Sequence, residues 1–207
     1  MTHLPKILLL ICLLLPASFL DASAQQKTDS RTLGMAIDYF QSGKYHEAIV
    51  LFNKLDKEYE LNPRFLAYMG VCYFYIEEYK SACKYLLQQL PKLHVFSPAE
   101  QTLYYATCAE SSFILEEYAQ AIDLFRQTTQ LCREEEKGDC FYKIALSYST
   151  LEQYDSAYHY LSQAKDNYRH FQGKYTTTAR MAQIEKMMVG CKMKIEQKDS
   201  IPPLNLP

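Results

Sequence analysis

Six cysteines follow residue 24, at Cys72, Cys83, Cys108, Cys132, Cys140 and Cys191, and thiols can bridge, ligate a metal or attack a substrate. Four of them, Cys72, Cys83, Cys108 and Cys191, fall at apolar positions of helical patterns, where a thiol packs as a small hydrophobe. Cys132 and Cys140 differ, because they bracket the polar run Arg133-Glu134-Glu135-Glu136-Lys137-Gly138-Asp139. A disulfide between them could close that connector in an oxidising compartment, the other state being two free thiols. A Cys72 to Cys83 bridge across one hairpin is a second pairing. The histidines His3, His46, His94, His159 and His170 are scattered, and none makes a metal-type pair with another His or Cys at short helical spacing. There is no glycine-rich phosphate loop, no Gly-x-Ser-x-Gly elbow and no His-Glu-x-x-His helix. Glu77-Glu78, Glu116-Glu117 and Glu134-Glu135-Glu136 stand at predicted turns, where solvation accounts for them. The expected protein has no catalytic residue, no metal site and no cofactor, and is not an enzyme.

The elements that would carry these residues are bounded by composition. The chain has 207 residues, 22 Lys plus Arg against 24 Asp plus Glu, no Trp, 18 Tyr and 10 Phe. A net charge of −2 lacks the basic excess that phosphate backbones attract, so no nucleic acid is expected as a partner. The N-terminus reads as an export signal. Ile7 to Leu15 is an apolar run ended by Pro16, too short to span a bilayer, and Ala22-Ser23-Ala24 offers the small residues a signal peptidase accepts. Residues 1–24 are therefore expected to be removed, leaving a chain that starts at Gln25, carries no stable membrane span and resides most naturally in a bacterial periplasm. A lipoprotein signal fits less well, since Cys12 lies inside the apolar run behind Ile11.

Beyond the leader the sequence repeats. Four segments carry Tyr, two residues, then Ala, with Phe or Leu four further on. They are Tyr45, Ala48 and Phe52; Tyr79, Ala82 and Leu86; Tyr118, Ala121 and Phe125; and Tyr154, Ala157 and Leu161. Twelve residues before each Ala stands another small residue, Ala36, Gly70, Ala109 and Ala145, and three after that come Tyr39, Tyr73, Ser112 and Tyr148. Two helices cross closely only where both carry small side chains, so Ala36 with Ala48, Gly70 with Ala82, Ala109 with Ala121 and Ala145 with Ala157 are expected to pack each pair together. Ser97-Pro98-Ala99-Glu100 predicts a capped helix start, and Pro63 after Asn62 predicts another. Gly43, Gly138 and Gly173 lie between periodic segments, where a left-handed or tight turn suits glycine.

This pattern resembles the tetratricopeptide repeat, a 34-residue helix-turn-helix unit with Gly or Ala in its first helix and Ala-x3-Phe in its second. Met69-Gly70-x2-Tyr73 and Ile144-Ala145-x2-Tyr148 carry the resemblance best, while the Trp of the family pattern is replaced by Thr32, Leu66, Tyr105 and Phe141. The resemblance covers about residues 29–168 and implies an all-α, right-handed α-solenoid. The expected repeats are 29–62, 63–97, 98–137 and 138–170. Residues 175–197, with Met181, Ile184, Met188, Cys191 and Ile195 on one stripe, read as a capping helix for the last repeat or an adaptable Met-rich surface. Residues 198–207 read as a flexible tail.

The resemblance also implies a concave face lined by the first helix of each repeat. The matching positions are Leu33, Ile37 and Phe40, then Val71, Phe74 and Tyr75, then Ala106, Glu110, Phe113 and Ile114, then Tyr142, Leu146 and Ser149. The expected groove is apolar and aromatic, without the Lys, Arg and Asn set of carboxylate-clamping members apart from Arg64 at its edge. Its occupant is a protein or peptide, so the implied function is an exported adaptor or scaffold. The alternatives are a structural subunit of an envelope assembly complex, or a face that packs only on its own capping helix.

Overall fold

The computed structural model describes residues 26–171 and 178–200. The leader, the proposed cleavage point, Gly173 and most of the C-terminal tail lie outside them. Among the described residues every regular element is helical. The α-helices are α1 (26–41), α2 (Tyr45–Glu58), α3 (Pro63–Tyr75), α4 (Tyr79–Gln89), α5 (Pro98–Ile114), α6 (Tyr118–Leu131), α7 (Lys137–Thr150), α8 (Tyr154–His170) and α9 (Thr178–Asp199), with 3-10 turns at Leu90–Lys92 and Glu134–Glu136. None of these helices is long and apolar enough to cross a membrane.

Helices α1 to α8 form four successive hairpins, and each packs chiefly on its chain neighbours, as a solenoid requires. The small residues expected at the crossings are where the spacing put them. On the first helices, Ala36, Ala109 and Ala145 are fully buried and Gly70 is buried with them; on the second helices, Ala48, Ala82, Ala121 and Ala157 are fully buried. Ala36 and Ala48 share one apolar cluster, Ala109 and Ala121 a second, and Ala145 and Ala157 a third, so each pair packs inside its own hairpin. The approach is tight at Gly70, where an added Cβ would lie 2.6 Å from Cγ of Leu86 and 3.4 Å from the Ala82 carbonyl oxygen. The three clusters run along the stack: one holds Phe52 and Met69, the next Val71, Leu86, Tyr104 and Phe125, and the last Leu161, Tyr168 and Ile184. Helix α9 closes the last of these by burying Ile184 and Cys191 against α8.

The turn within each hairpin is the same device. Gly43, Glu77, Glu116 and Glu152 have φ of 72, 65, 63 and 58°. In each, that residue's N–H donates to the carbonyl three residues back, and the next N–H donates five back: Lys44 to Tyr39, Glu78 to Tyr73, Glu117 to Ser112, Gln153 to Tyr148. This is a Schellman ending, and the residue that completes it is also the N-cap of the next helix. Of the two expected glycine turns among the described residues, Gly43 is one and Gly138 is not. Gly138 sits buried in the first turn of α7, where an added Cβ would come within 2.9 Å of Asn167 and Tyr168 atoms, so close approach and not a left-handed turn demands glycine there.

Helix starts follow the sequence signals. The Asn62 side chain accepts from the Arg64 N–H at 3.0 Å, and Ser97 Oγ accepts from the Glu100 N–H at 3.3 Å. The Glu100 carboxylate does not complete a capping box. It accepts two hydrogen bonds from Arg64, at 2.7 and 2.8 Å, and one from the Tyr104 hydroxyl at 2.6 Å, tying α3 to α5.

Candidate functional site

The first helices of the hairpins share one side of the stack. Helix α3 meets α5 directly, a contact that neither α2 with α4 nor α4 with α6 makes, so at the second and third hairpins the first helices lie on the tighter, inner side. Along that side one row stands at the turn ends, since Phe40, Phe74 and Phe113 occupy equivalent positions. Each ring packs edge-on against the tyrosine that opens the next helix: Phe40 on Tyr45 (6.3 Å between centroids), Phe74 on Tyr79 (5.7 Å) and Phe113 on Tyr118 (5.6 Å). These phenylalanines are half-buried, and edge-to-face pairing holds them in place. The fourth hairpin has Ser149 and Tyr154 at these positions, so the row ends there.

One residue further on, Tyr75 and Ile114 project into solvent, 52% and 44% exposed. Their equivalents in the outer hairpins are Gln41 and Thr150, so the apolar strip is confined to the middle of the stack. Tyr75 is not loose: its ring stacks on Tyr45 with centroids 4.3 Å apart and planes 5° from parallel. Burial raises the Tyr45 hydroxyl above its ordinary pKa, helped by Tyr75 beside it.

The other predicted groove residues divide. Leu33, Ile37 and Leu146 are half-buried against the core of their own hairpins. Val71 is 1% exposed and does not line a groove, because it points between α3 and α5 into the cluster holding Tyr104 and Cys108. Tyr142 is 4% exposed for a similar reason: the Arg180 guanidinium of α9 lies 4.3 Å from its ring centroid. Glu110 is half-buried and paired with Lys143, Nζ to carboxylate oxygen 2.6 Å, and the same ammonium lies 4.6 Å from the centroid of Phe113. Lys143 and Arg180 escaped the sequence reading. Each follows from its neighbour on the next inner helix, a relation that no single helical period contains.

Arg64, placed by sequence at the groove edge, is fully engaged. Besides Glu100 it lies 5.0 Å from the Phe96 ring centroid and 5.8 Å from that of Tyr68. The opposite flank has its own cation: Arg126 donates to the hydroxyls of Tyr148 and Tyr160, whose rings stack 5.7 Å apart. Tyr73 and Tyr85 repeat that stacking at 5.4 Å in the second hairpin.

The six described cysteines are free thiols. Cys132 is half-buried at the end of α6 and Cys140 is buried in the first turn of α7. Cys72 belongs to the first cluster, while Cys83 Sγ turns toward α5, 3.9 Å from the Cys108 carbonyl oxygen and 3.5 Å from Ser112 Oγ. Among the described residues, no group of three or more His, Cys, Asp or Glu is placed to hold a metal ion.

Residues 139–170, nearly all of α7 and α8, match the tetratricopeptide repeat family. No curated protein matches the chain by sequence. Among solved structures, a MamA mutant superposes with a TM-score of 0.63 at 10% identity, over 86% of this chain and 94% of that one. The apo form of RapI gives 0.60 at 13% identity, over 82% of this chain and 65% of its own. A further MamA crystal structure gives 0.55 at 18%, over 88% of this chain and 100% of that one. At such identities the likeness is one of fold, a helical-repeat solenoid.

Proposed function

We propose that the protein is a non-catalytic adaptor that holds a protein or peptide segment against the inner face of its middle repeats. The observation that carries this reading is the exposure of Tyr75 and Ile114 at equivalent positions of adjacent repeats, each beside a fixed phenylalanine. An apolar strip at repeat spacing suits a partner presenting large side chains at regular intervals. Each such side chain fully buried contributes roughly 1.5–3 kcal/mol. The Glu110–Lys143 pair marks one end of the strip and would set the direction of a charged partner. Export by the N-terminal leader, with the mature chain in a periplasm, belongs to the same proposal and rests on residues 7–24. N-terminal sequencing of the envelope fraction should return Gln25.

The test of the groove uses exposed positions, since charging Phe74 or Phe113 would break the edge-to-face pairs that hold the turns. Tyr75→Glu with Ile114→Glu should abolish co-purification of partners from the native envelope while helical content is unchanged. Retention of every partner by that variant would sink the reading. A second reading, a structural subunit of an envelope assembly, is favoured by one observation: Val189 and Met193 on α9 are 60% and 65% exposed. Val189→Glu with Met193→Glu would then release the partners that Tyr75→Glu with Ile114→Glu leaves bound.

A further inference from the structure

Helix α9 ends the described stack, and one of its faces is open to solvent. The other buries Ile184 and Cys191 against α8. Ala182, Lys186, Val189, Met193 and Glu196 follow one another at alternating steps of four and three, so they form a single stripe on the side of the helix opposite Ile184 and Cys191. All five are exposed, Val189 and Met193 by 60% and 65%. The stripe is apolar in its middle and oppositely charged at Lys186 and Glu196. Among the described residues, the ion pairs of α9 are made by Arg180 and Glu185, not by Lys186 or Glu196.

We infer that this stripe is the contact between two copies of the chain, their α9 helices packed antiparallel about a two-fold axis. The order of its residues is self-complementary. Alternating steps of four and three are the a and d positions of a heptad, the spacing at which one helix seats along another. With the axis level with residue 191, Val189 meets Met193 of the second copy and Lys186 meets its Glu196. The symmetry makes each contact twice, since in such an interface residue i touches j and j touches i. A parallel pair would instead set Lys186 against Lys186 and Glu196 against Glu196, so charge selects the antiparallel arrangement.

The apolar middle supplies the attraction and the charged ends fix the register. Gly190 stands at one edge of the stripe, where an added Cβ would meet nothing within 4 Å, so the bare backbone lets a second helix come close. Lys192, exposed at the other edge, keeps its ammonium in water. The buried face of α9 is already held by α8, so association requires no repacking of the repeats. Two large apolar side chains per copy make a small interface, and the dimer forms and parts with concentration. The inference stands apart from the adaptor reading, because Tyr75 and Ile114 take no part in it. On that reading a dimer carries two inner strips, which gives avidity for a partner with repeated segments.

Sedimentation velocity of the purified chain, with no partner present, over a wide dilution series at low salt tests this. The expected result is a monomer at the dilute end that becomes a dimer as concentration rises. Val189→Glu with Met193→Glu should stay monomeric with unchanged helical content. Lys186→Glu alone and Glu196→Lys alone should each weaken self-association at least about tenfold, because like charges then face each other twice. Mixed in equal amounts, these two variants should associate with one another as the unaltered chain does with itself. The combined Lys186→Glu, Glu196→Lys chain should recover the dimer, and Tyr75→Glu with Ile114→Glu should dimerise unchanged. A chain monomeric throughout the series, a dimer indifferent to both charge changes, or a mixture of the two variants that does not associate would overturn the proposal. So would loss of the dimer on Tyr75→Glu with Ile114→Glu, which would place self-association in the groove.

Discussion

The ammonium of Lys143 on α7 bridges to α5, 2.6 Å from a carboxylate oxygen of Glu110 and 4.6 Å from the centroid of the Phe113 ring. It thereby covers one end of the apolar strip with a charge that water can still reach. Lys143→Met should uncover the Phe113 ring. Binding of an apolar fluorescent dye is expected to rise, with unfolding free energy changing by no more than about 1 kcal/mol, the range of partly exposed ion pairs. The rise should vanish when Phe113→Ala is added. Dye binding equal to that of the unaltered chain would show that the ammonium is no lid.

The turns invite a second experiment. Glu77, Glu116 and Glu152 hold the left-handed conformation that Gly43 adopts without steric cost. A side chain there costs roughly 1–2 kcal/mol, partly offset because glycine gives the unfolded chain more freedom. Each of Glu77→Gly, Glu116→Gly and Glu152→Gly should therefore stabilise by about 0.5–1 kcal/mol in urea denaturation. Gly43→Ala should destabilise by a comparable amount.

Gly70 and Leu86 should show strong coupling. Gly70→Ala puts a methyl 2.6 Å from Leu86 Cγ, and overpacking of this kind costs about 1–3 kcal/mol despite the better helix propensity of alanine. Leu86→Ala alone should cost about 2–5 kcal/mol through the cavity it leaves. The double variant should be more stable than the sum of the singles predicts, by at least about 0.5 kcal/mol. Additive values would mean that α3 and α4 shift apart freely.

A pH dependence follows from Glu100. Burial alone would raise its pKa, but the hydrogen bonds from Arg64 and Tyr104 and the Arg64 charge outweigh that and hold it below the ordinary 4.5. A carboxylate lowered in the folded state contributes stability that is present above its unfolded pKa and lost as pH falls through the folded value. The stability difference between the native chain and Glu100→Gln should be constant from neutral pH to about pH 5 and shrink below it. A difference that does not change with acidity would show that the Arg64 pair adds nothing to the folded state.

Much of the stack was legible in the sequence. Tyr-x2-Ala placed Ala48, Ala82, Ala121 and Ala157, and the small residue twelve positions earlier placed their partners. All eight are buried, because a hairpin of two helices depends on contacts within one short stretch of chain. Asn62 and Ser97 marked helix starts for the same local reason. Turns at Glu77 and Glu116 were legible, but their left-handed backbone was not, because hydrogen bonds and the packing of two helices impose it whatever the side chain. Nor was the division of the inner face. Val71 and Phe74 lie three residues apart on one helix, yet the first faces α5 and the second the turn, and only the angle between successive hairpins decides this.

By itself, then, the sequence determined the repeating hairpin, since small residues at fixed spacing admit one close crossing. The tertiary structure decided which side chains meet between hairpins: Lys143 with Glu110, Tyr45 with Tyr75, Cys83 with Ser112. Those pairs lie 29 to 33 residues apart across connectors of unequal length. Their meeting depends on how each repeat stacks on the next, an accumulated rotation that is a property of the whole solenoid and not of any one repeat.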